Sequence, residues 1–313
     1  MSIHHWSRKL FILIAALALI TGCASSKPQP DTSMDSLVTA QWLSEHLDDP
    51  DLVVLDCSVS VKPGEDGIQI ESGRAEYEGG HIPSAAFADL MGDLVDGDSP
   101  FNFALPTPEH FCDAMGALGV GDDSRVVLYD GSNSAWAARV WWMLRWVGFD
   151  RAALLDGGLG AWTAEDRPLS TEPANRSAKK LTPAPRPELI ADRDEVLAAI
   201  DNSAVYLIDV LPEASYRGEM AMYGRPGHIP SASNTPFTAL IDKSGRYRSH
   251  DELAALFDGD ANARTITYCG GGIAASSTAF IMTRLGFTDV AVYTASLQEW
   301  ATDPANPMVV DEQ

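Results

Sequence analysis

Two stretches of this chain are versions of one another. Gly79-Gly80-His81-Ile82-Pro83-Ser84-Ala85 in the first half matches Pro226-Gly227-His228-Ile229-Pro230-Ser231-Ala232 in the second, and each follows an apolar run of strand character, Asp51–Asp56 and Val205–Asp209. The match continues, with Val126-Val127-Leu128-Tyr129-Asp130 in the place of Thr265-Ile266-Thr267-Tyr268-Cys269. A tryptophan follows at nearly the same interval, Trp162 lying 32 residues after Asp130 and Trp300 31 residues after Cys269. Short buried strands alternating with helical stretches imply parallel βαβ units, with ligands at the carboxyl ends of the strands. The duplication therefore predicts two α/β domains facing one another across a cleft.

The copies divide the chain. Residues 37–172 read as the first domain, 173–187 as a linker containing Thr182-Pro183-Ala184-Pro185-Arg186-Pro187, 188–303 as the second domain and 304–313 as a tail. The prolines make the linker semi-rigid and exclude it from helix or central strand. Residues 1–22 read as an export signal, because His4, His5, Arg8 and Lys9 precede an apolar run, Leu10 to Ile20, too short for an ordinary transmembrane helix. Ile20-Thr21-Gly22-Cys23 resembles the lipobox of bacterial lipoproteins, which implies cleavage before Cys23, lipidation of that cysteine and a tether over 23–36. Ala24 in place of an Asp points to the outer membrane, so the expected location is extracytoplasmic and periplasm-facing.

A formal charge of −22 argues against nucleic acid and against electrostatic adhesion to anionic lipid, leaving membrane contact through the N-terminal lipid only. An anionic substrate would need a local basic patch.

Cys269 ends one of the repeated strands and opens the turn Gly270-Gly271-Gly272, ahead of a helical stretch from Ile273 to Leu285. Glycines let several backbone N–H groups converge on one point, and an amide cradle at a helix start favours the thiolate, the nucleophilic form of cysteine. With Cys23 set aside, Cys57, Cys112 and Cys269 remain, without the spacing of a zinc site or a disulfide framework. Cys57 and Cys112 read as structural, although either could resolve a modified Cys269 into a disulfide.

Taken together, the two His-Ile-Pro-Ser-Ala motifs, the run Arg139-Val140-Trp141-Trp142-Met143-Leu144-Arg145, Leu155-Asp156-Gly157-Gly158 and the Cys269 loop resemble the tandem rhodanese family of sulfurtransferases over roughly Leu37 to Asp303. The family includes thiosulfate and 3-mercaptopyruvate sulfurtransferases. The resemblance implies an α/β fold of two tandem rhodanese-like domains, each a parallel β-sheet flanked by helices. The first is inactive, with Asp130 at the nucleophile position, and the second is catalytic through Cys269. It implies a ping-pong reaction in which a small anionic donor, thiosulfate or 3-mercaptopyruvate, leaves a persulfide on Cys269 that passes to a thiol or cyanide. Backbone N–H groups of Gly270, Gly271, Gly272, Ile273 and Ala274 would cradle the anion, no metal or organic cofactor is required, and the expected state is a monomer. The family places basic residues where Arg217 and Arg225 stand, and the first-domain motif carrying Arg74 and His81 reaches the cleft in mercaptopyruvate-type members. These four are the expected substrate ligands, the alternative being surface solvation for Arg217 and Arg225 and, for His81, a structural imidazole that ties down a turn. His228 is expected to be structural, and Asp209 to hold an arginine or cap a turn.

This chain also departs from the family pattern. Gly271 replaces the Ser and Ala274 the Thr of the mercaptopyruvate-type loop, no residue from Gly270 to Ala274 is charged as thiosulfate-type loops commonly require, and Ser215 stands where relatives commonly carry an Arg. A phosphatase of related fold would need an Arg at Ala275 to bind phosphate bidentately. The competing expectation is a module with the same fold that binds a partner or carries persulfide sulfur without turning over a small donor. Trp141, Trp142 and Trp146, at helical spacing, are expected in core and domain-interface packing.

Overall fold

The computed structural model describes Met1 and residues 34–64 and 67–311. The signal, Cys23 and most of the tether lie outside the described residues.

Each half is built on a five-stranded, all-parallel sheet of one topology. The first runs in the order Leu37–Val38, Ala152–Leu155, Arg125–Tyr129, Leu52–Asp56, Ala86–Phe87. The second runs Ile190–Ala191, Val290–Tyr293, Arg264–Tyr268, Val205–Asp209, Ser233–Asn234, strand for strand the same. Leu52–Asp56 and Arg125–Tyr129 are buried throughout, as helices on both faces require, and read as continuous apolar runs for that reason. The middle strands end at Tyr129 and Tyr268, so Asp130 and Cys269 leave the two sheets at equivalent points.

The repeated His-Ile-Pro motifs are clasps. His81 stacks on Tyr77 with ring centroids 4.0 Å apart, and His228 on Tyr216 at 3.6 Å. The next N–H in each, of Ile82 and of Ile229, donates to the hydroxyl of the middle-strand tyrosine, Tyr129 or Tyr268, at 3.1 Å. His81 also pairs with Ser170 and His228 with Val309 through reciprocal backbone bonds.

The halves meet through the helices that follow the middle strands, Ala135–Trp146 and Ile273–Arg284. Trp141 of one meets Phe280 of the other edge to face, with centroids 4.8 Å apart. Nearly every residue of the first of these helices is buried, which its apolar character on all faces anticipates. A second tie runs from Asp156, which accepts the Tyr247 N–H at 2.9 Å and faces Arg246.

The described part of the tail folds back on the second half: Val309 pairs with His228, and the Pro307 carbonyl accepts the indole N–H of Trp300 at 2.9 Å, which a buried indole needs. The end of the tether is held as well, since Asp35 pairs with Arg284 and the Ser36 carbonyl accepts the Leu154 N–H. The linker lies along the first half, where Lys179, Ala184 and Arg186 donate to the carbonyls of Gly116, Val147 and Trp146. The first half also carries an antiparallel hairpin, Val59–Gly64 with Gly67–Ser72, that has no counterpart in the second among the described residues.

Candidate active site

Cys269 is 3% exposed, and its position is set from three sides. Its N–H donates to Ser296 Oγ at 3.1 Å, its carbonyl accepts the Leu297 N–H at 3.1 Å, and Sγ accepts the Gly272 N–H at 3.1 Å. Gly272 has a left-handed φ of 83° and starts the helix Ile273–Arg284. A Cβ there would stand 2.7 Å from the Thr294 carbonyl oxygen and 3.0 Å from Arg139 Nη1, so conformation and space both demand glycine. The N–H groups of Ile273, Ala274 and Ala275 in the first helical turn have no helical carbonyl within reach and open onto the same place.

The first half shows what such a turn holds. Its helix also begins after a left-handed residue, Ser134 with φ 63°, and the Asp130 side chain turns back into the cradle. One carboxylate oxygen accepts the N–H groups of Ser132 at 2.8 Å and Ser134 at 3.1 Å, the other those of Trp136 at 3.1 Å and Ala137 at 3.0 Å. Ser134, Trp136 and Ala137 hold the same helix-start positions as Gly272, Ala274 and Ala275. Asp130 is thus a built-in anion in the seat that a Cys269-bound anion would take. A cavity of about 400 Å³ remains beside it, bordered by Ser58, Tyr77, Gly131 and Ser132, but its anion seat is filled.

Of the expected site residues, the structure brings Cys269 and Gly270–Ala274 together. Arg74, His81, Arg217 and Arg225 are engaged elsewhere. Arg217 is exposed and pairs with Glu213, one turn away on the same short helix. Arg225 gives one nitrogen to the carbonyls of Asp303 at 3.0 Å and Asn306 at 2.9 Å, fastening the C-terminal segment. Arg74 faces Asp89 at 3.6 Å and lies over the Phe87 ring. His81 is buried with Nδ1 against the Tyr77 carbonyl and Nε2 against that of Glu172, which leaves no ring nitrogen for a substrate. His228 sits against the Tyr216 carbonyl. Asp209 holds no arginine: it caps the Leu211 N–H at 2.8 Å, and burial pushes its carboxyl up to about 6.

Two residues at the site were not foreseen as functional. Arg139 reaches from the first half, wholly buried, with Nη2 donating to the Phe103 carbonyl at 2.9 Å while Nε and Nη1 lack partners. Burial lowers its pKa to about 10, and Cys269 is the charged group that opposes the shift. The signal was a lone cation in the apolar stretch Ala137-Ala138-Arg139-Val140. Tyr223, between the two expected arginines, lays its hydroxyl over Gly270, and burial with nearby Cys269 and Asp209 pushes that phenol up to about 12. Gln298 closes the seam between the halves: it exchanges two hydrogen bonds with the Asn102 backbone, at 3.0 and 2.9 Å, while its own N–H donates to the Gly270 carbonyl. The remaining cysteines are buried free thiols; burial pushes Cys112 up to about 12 and raises Cys57 as well.

The Rhodanese-like domain model matches residues 39–165 and 192–303. The 3-mercaptopyruvate sulfurtransferase of Escherichia coli strain K12 is 34% identical, over 84% of this chain and 94% of the relative. That of Homo sapiens is 34% identical over 85% and 91% respectively. The crystal structure of the 3-mercaptopyruvate sulfurtransferase SseA from Escherichia coli superposes with a TM-score of 0.75 at 34% identity, covering 83% of this chain and 98% of that one. A structure of EanB with ergothioneine reaches a TM-score of 0.77 at 23% identity, a likeness of fold alone.

Proposed function

Since the chain belongs to the rhodanese-like family, we propose that its second half is the catalytic one, with Cys269 as the sulfur carrier. The protein is a sulfurtransferase acting between a sulfur donor and a thiol acceptor. With thiosulfate, the Cys269 thiolate attacks the outer sulfur, the S–S bond of the donor breaks and sulfite leaves with the bonding pair, giving the persulfide anion. With 3-mercaptopyruvate the C–S bond breaks instead, and the carbon takes the thiol proton to leave as pyruvate. Attack by a thiolate or cyanide on the outer sulfur then returns the Cys269 thiolate and carries the sulfur away as a persulfide or thiocyanate.

The observation that carries this reading is the Asp130 carboxylate, held by four backbone N–H groups in the equivalent turn of the first half. Around Cys269, in a turn one residue shorter, the Gly272 N–H already meets Sγ and the matching donors are those of Ala274 and Ala275, toward which a sulfur added to Sγ would extend. Amides fixed before the reaction begins stabilise such a charge without reorganisation.

Single-turnover intact mass of the reduced, signal-less protein after thiosulfate or 3-mercaptopyruvate tests it. The expected gain is one sulfur, absent in Cys269→Ser. A folded protein that gains none from either donor would instead be a persulfide carrier or binding module.

The basic, apolar and small-residue order of residues 1–22 and the sequence Ile20–Cys23 support an exported, periplasm-facing lipoprotein of the outer membrane, acting as a monomer on its tether. Palmitate labelling that vanishes in Cys23→Ala, membrane fractionation and light scattering of the signal-less chain test these points.

A further inference from the structure

We propose that Arg139, contributed by the half without a nucleophile, is the electrostatic partner of the sulfur on Cys269, acting on thiolate and persulfide alike and independently of the donor. The inference rests on the sulfurtransferase reading.

A fully buried guanidinium with two unpartnered nitrogens is costly unless an anion comes to it. From its own helix Arg139 meets the Trp142 ring, 5.1 Å from the guanidinium carbon. From the loop before the helix Pro108–Ala117 it meets the Phe103 carbonyl, and from the second half the turn Cys269–Gly272, with Nη1 3.0 Å from where a Gly272 Cβ would stand. Cys269 is the ionisable group acting on it, and no carboxylate does so. On the other side Cys269 faces the Tyr223 phenol, with Asp209 beyond. Burial lowers the Arg139 pKa only to about 10, so the group stays charged at neutral pH.

The catalytic cycle suits a fixed cation. The protein alternates between Cys–S⁻ and Cys–S–S⁻, both monoanions, so one negative charge stays at the site while its centre moves outward by one sulfur. Buried as it is, Arg139 addresses that sulfur and not the carboxylate or sulfonate end of a donor. No charged residue occurs from Gly270 to Ala274, so the second half brings no cation in its own loop. The first half, with Asp130 at the nucleophile position, contributes to the site in this way.

The test uses Arg139→Met and Arg139→Lys in the signal-less protein. Persulfide formation is followed by intact mass with thiosulfate, 3-mercaptopyruvate and inorganic polysulfide, and alkylation of Cys269 by iodoacetamide at pH 7 is followed in parallel. Arg139→Met is expected to slow all three donors by one common factor, about a hundredfold, and to slow alkylation by about tenfold, with partial recovery in Arg139→Lys. Its thermal midpoint should hold or rise, because an apolar side chain replaces an incompletely paired buried charge. If Arg139→Met does not fold, the Lys variant carries the same comparison, with intermediate losses expected. Undiminished alkylation in a folded variant overturns the partnership whatever the donors do, and so does a loss confined to one donor. Alkylation that depends on Arg139, in a native protein that forms no persulfide, would instead overturn the sulfurtransferase reading and leave the partnership standing.

Discussion

Gly270 and Tyr223 should behave as one unit. Gly270 does not have a left-handed φ, so alanine is conformationally free to replace it, and any cost must come from space. The added Cβ would stand 1.7 Å from the Tyr223 hydroxyl oxygen, 1.9 Å from Cζ and 2.5 Å from Cε1. Three atoms of a rigid ring at those distances cannot be relieved by a tilt, so the ring must leave its half-buried seat. Losing that burial costs about 1–3 kcal/mol, the range for overpacking or for exposing a large apolar side chain. Tyr223→Ala alone loses a similar burial, but once the ring is gone the alanine at 270 is relieved of its three nearest clashes. The double variant should therefore match Tyr223→Ala within about 0.5 kcal/mol, a coupling nearly as large as the whole Gly270→Ala effect. Urea midpoints and slopes of the four proteins measure it, with persulfide yield showing that the Cys269 turn stays intact. Additive losses, or a Gly270→Ala variant as stable as the parent, would refute the packing of Tyr223 on the nucleophile's loop.

Asp130→Ala leaves four inward N–H groups without their acceptor, and the loss expected by denaturation is about 2–4 kcal/mol, with persulfide stoichiometry still one per chain; a loss under about 0.5 kcal/mol would contradict the filled cradle. Asp209 has a folded pKa of about 6 against 3.8 for an ordinary Asp, so the folded state holds its proton more tightly and stability falls as pH rises between those values. Asp209→Asn should accordingly be more stable than the parent at pH 7, by on the order of 2–3 kcal/mol at most, with the advantage gone near pH 4 in thermal scans. Arg225→Met frees the carbonyls of Asp303 and Asn306 and should lower stability by about 1–2 kcal/mol while leaving the KM of either donor unchanged; a KM that rises severalfold would return Arg225 to substrate binding.

The parallel sheet of each half was legible because strand character, helix character and their alternation are local properties, and the repetition from Asp51 to Trp162 and from Val205 to Trp300 checks each assignment against the other. The Cys269 turn was legible for the same reason: strand end, three glycines and helix start are neighbours in the chain. The partners of Arg217 and Arg225 were not legible, because proximity in sequence to the His-Ile-Pro motif says nothing of which acceptors lie nearest. In the structure they are Glu213 and the C-terminal carbonyls. His81 makes the same stack on the same kind of tyrosine as His228, so the repeated motif is a clasp in both halves.

By itself the sequence determined the duplication, the parallel sheets, the strand end at which chemistry occurs, and the asymmetry of one thiol against one carboxylate. Only the tertiary structure decided what surrounds the thiol. Arg139, Phe103 and Asn102 come from the first half and Tyr223 from a segment well before Cys269, and they meet where two buried helices pack Trp141 against Phe280. That packing is a relation between surfaces far apart along the chain, and periodicity, spacing and residue type carry no record of which surfaces will touch.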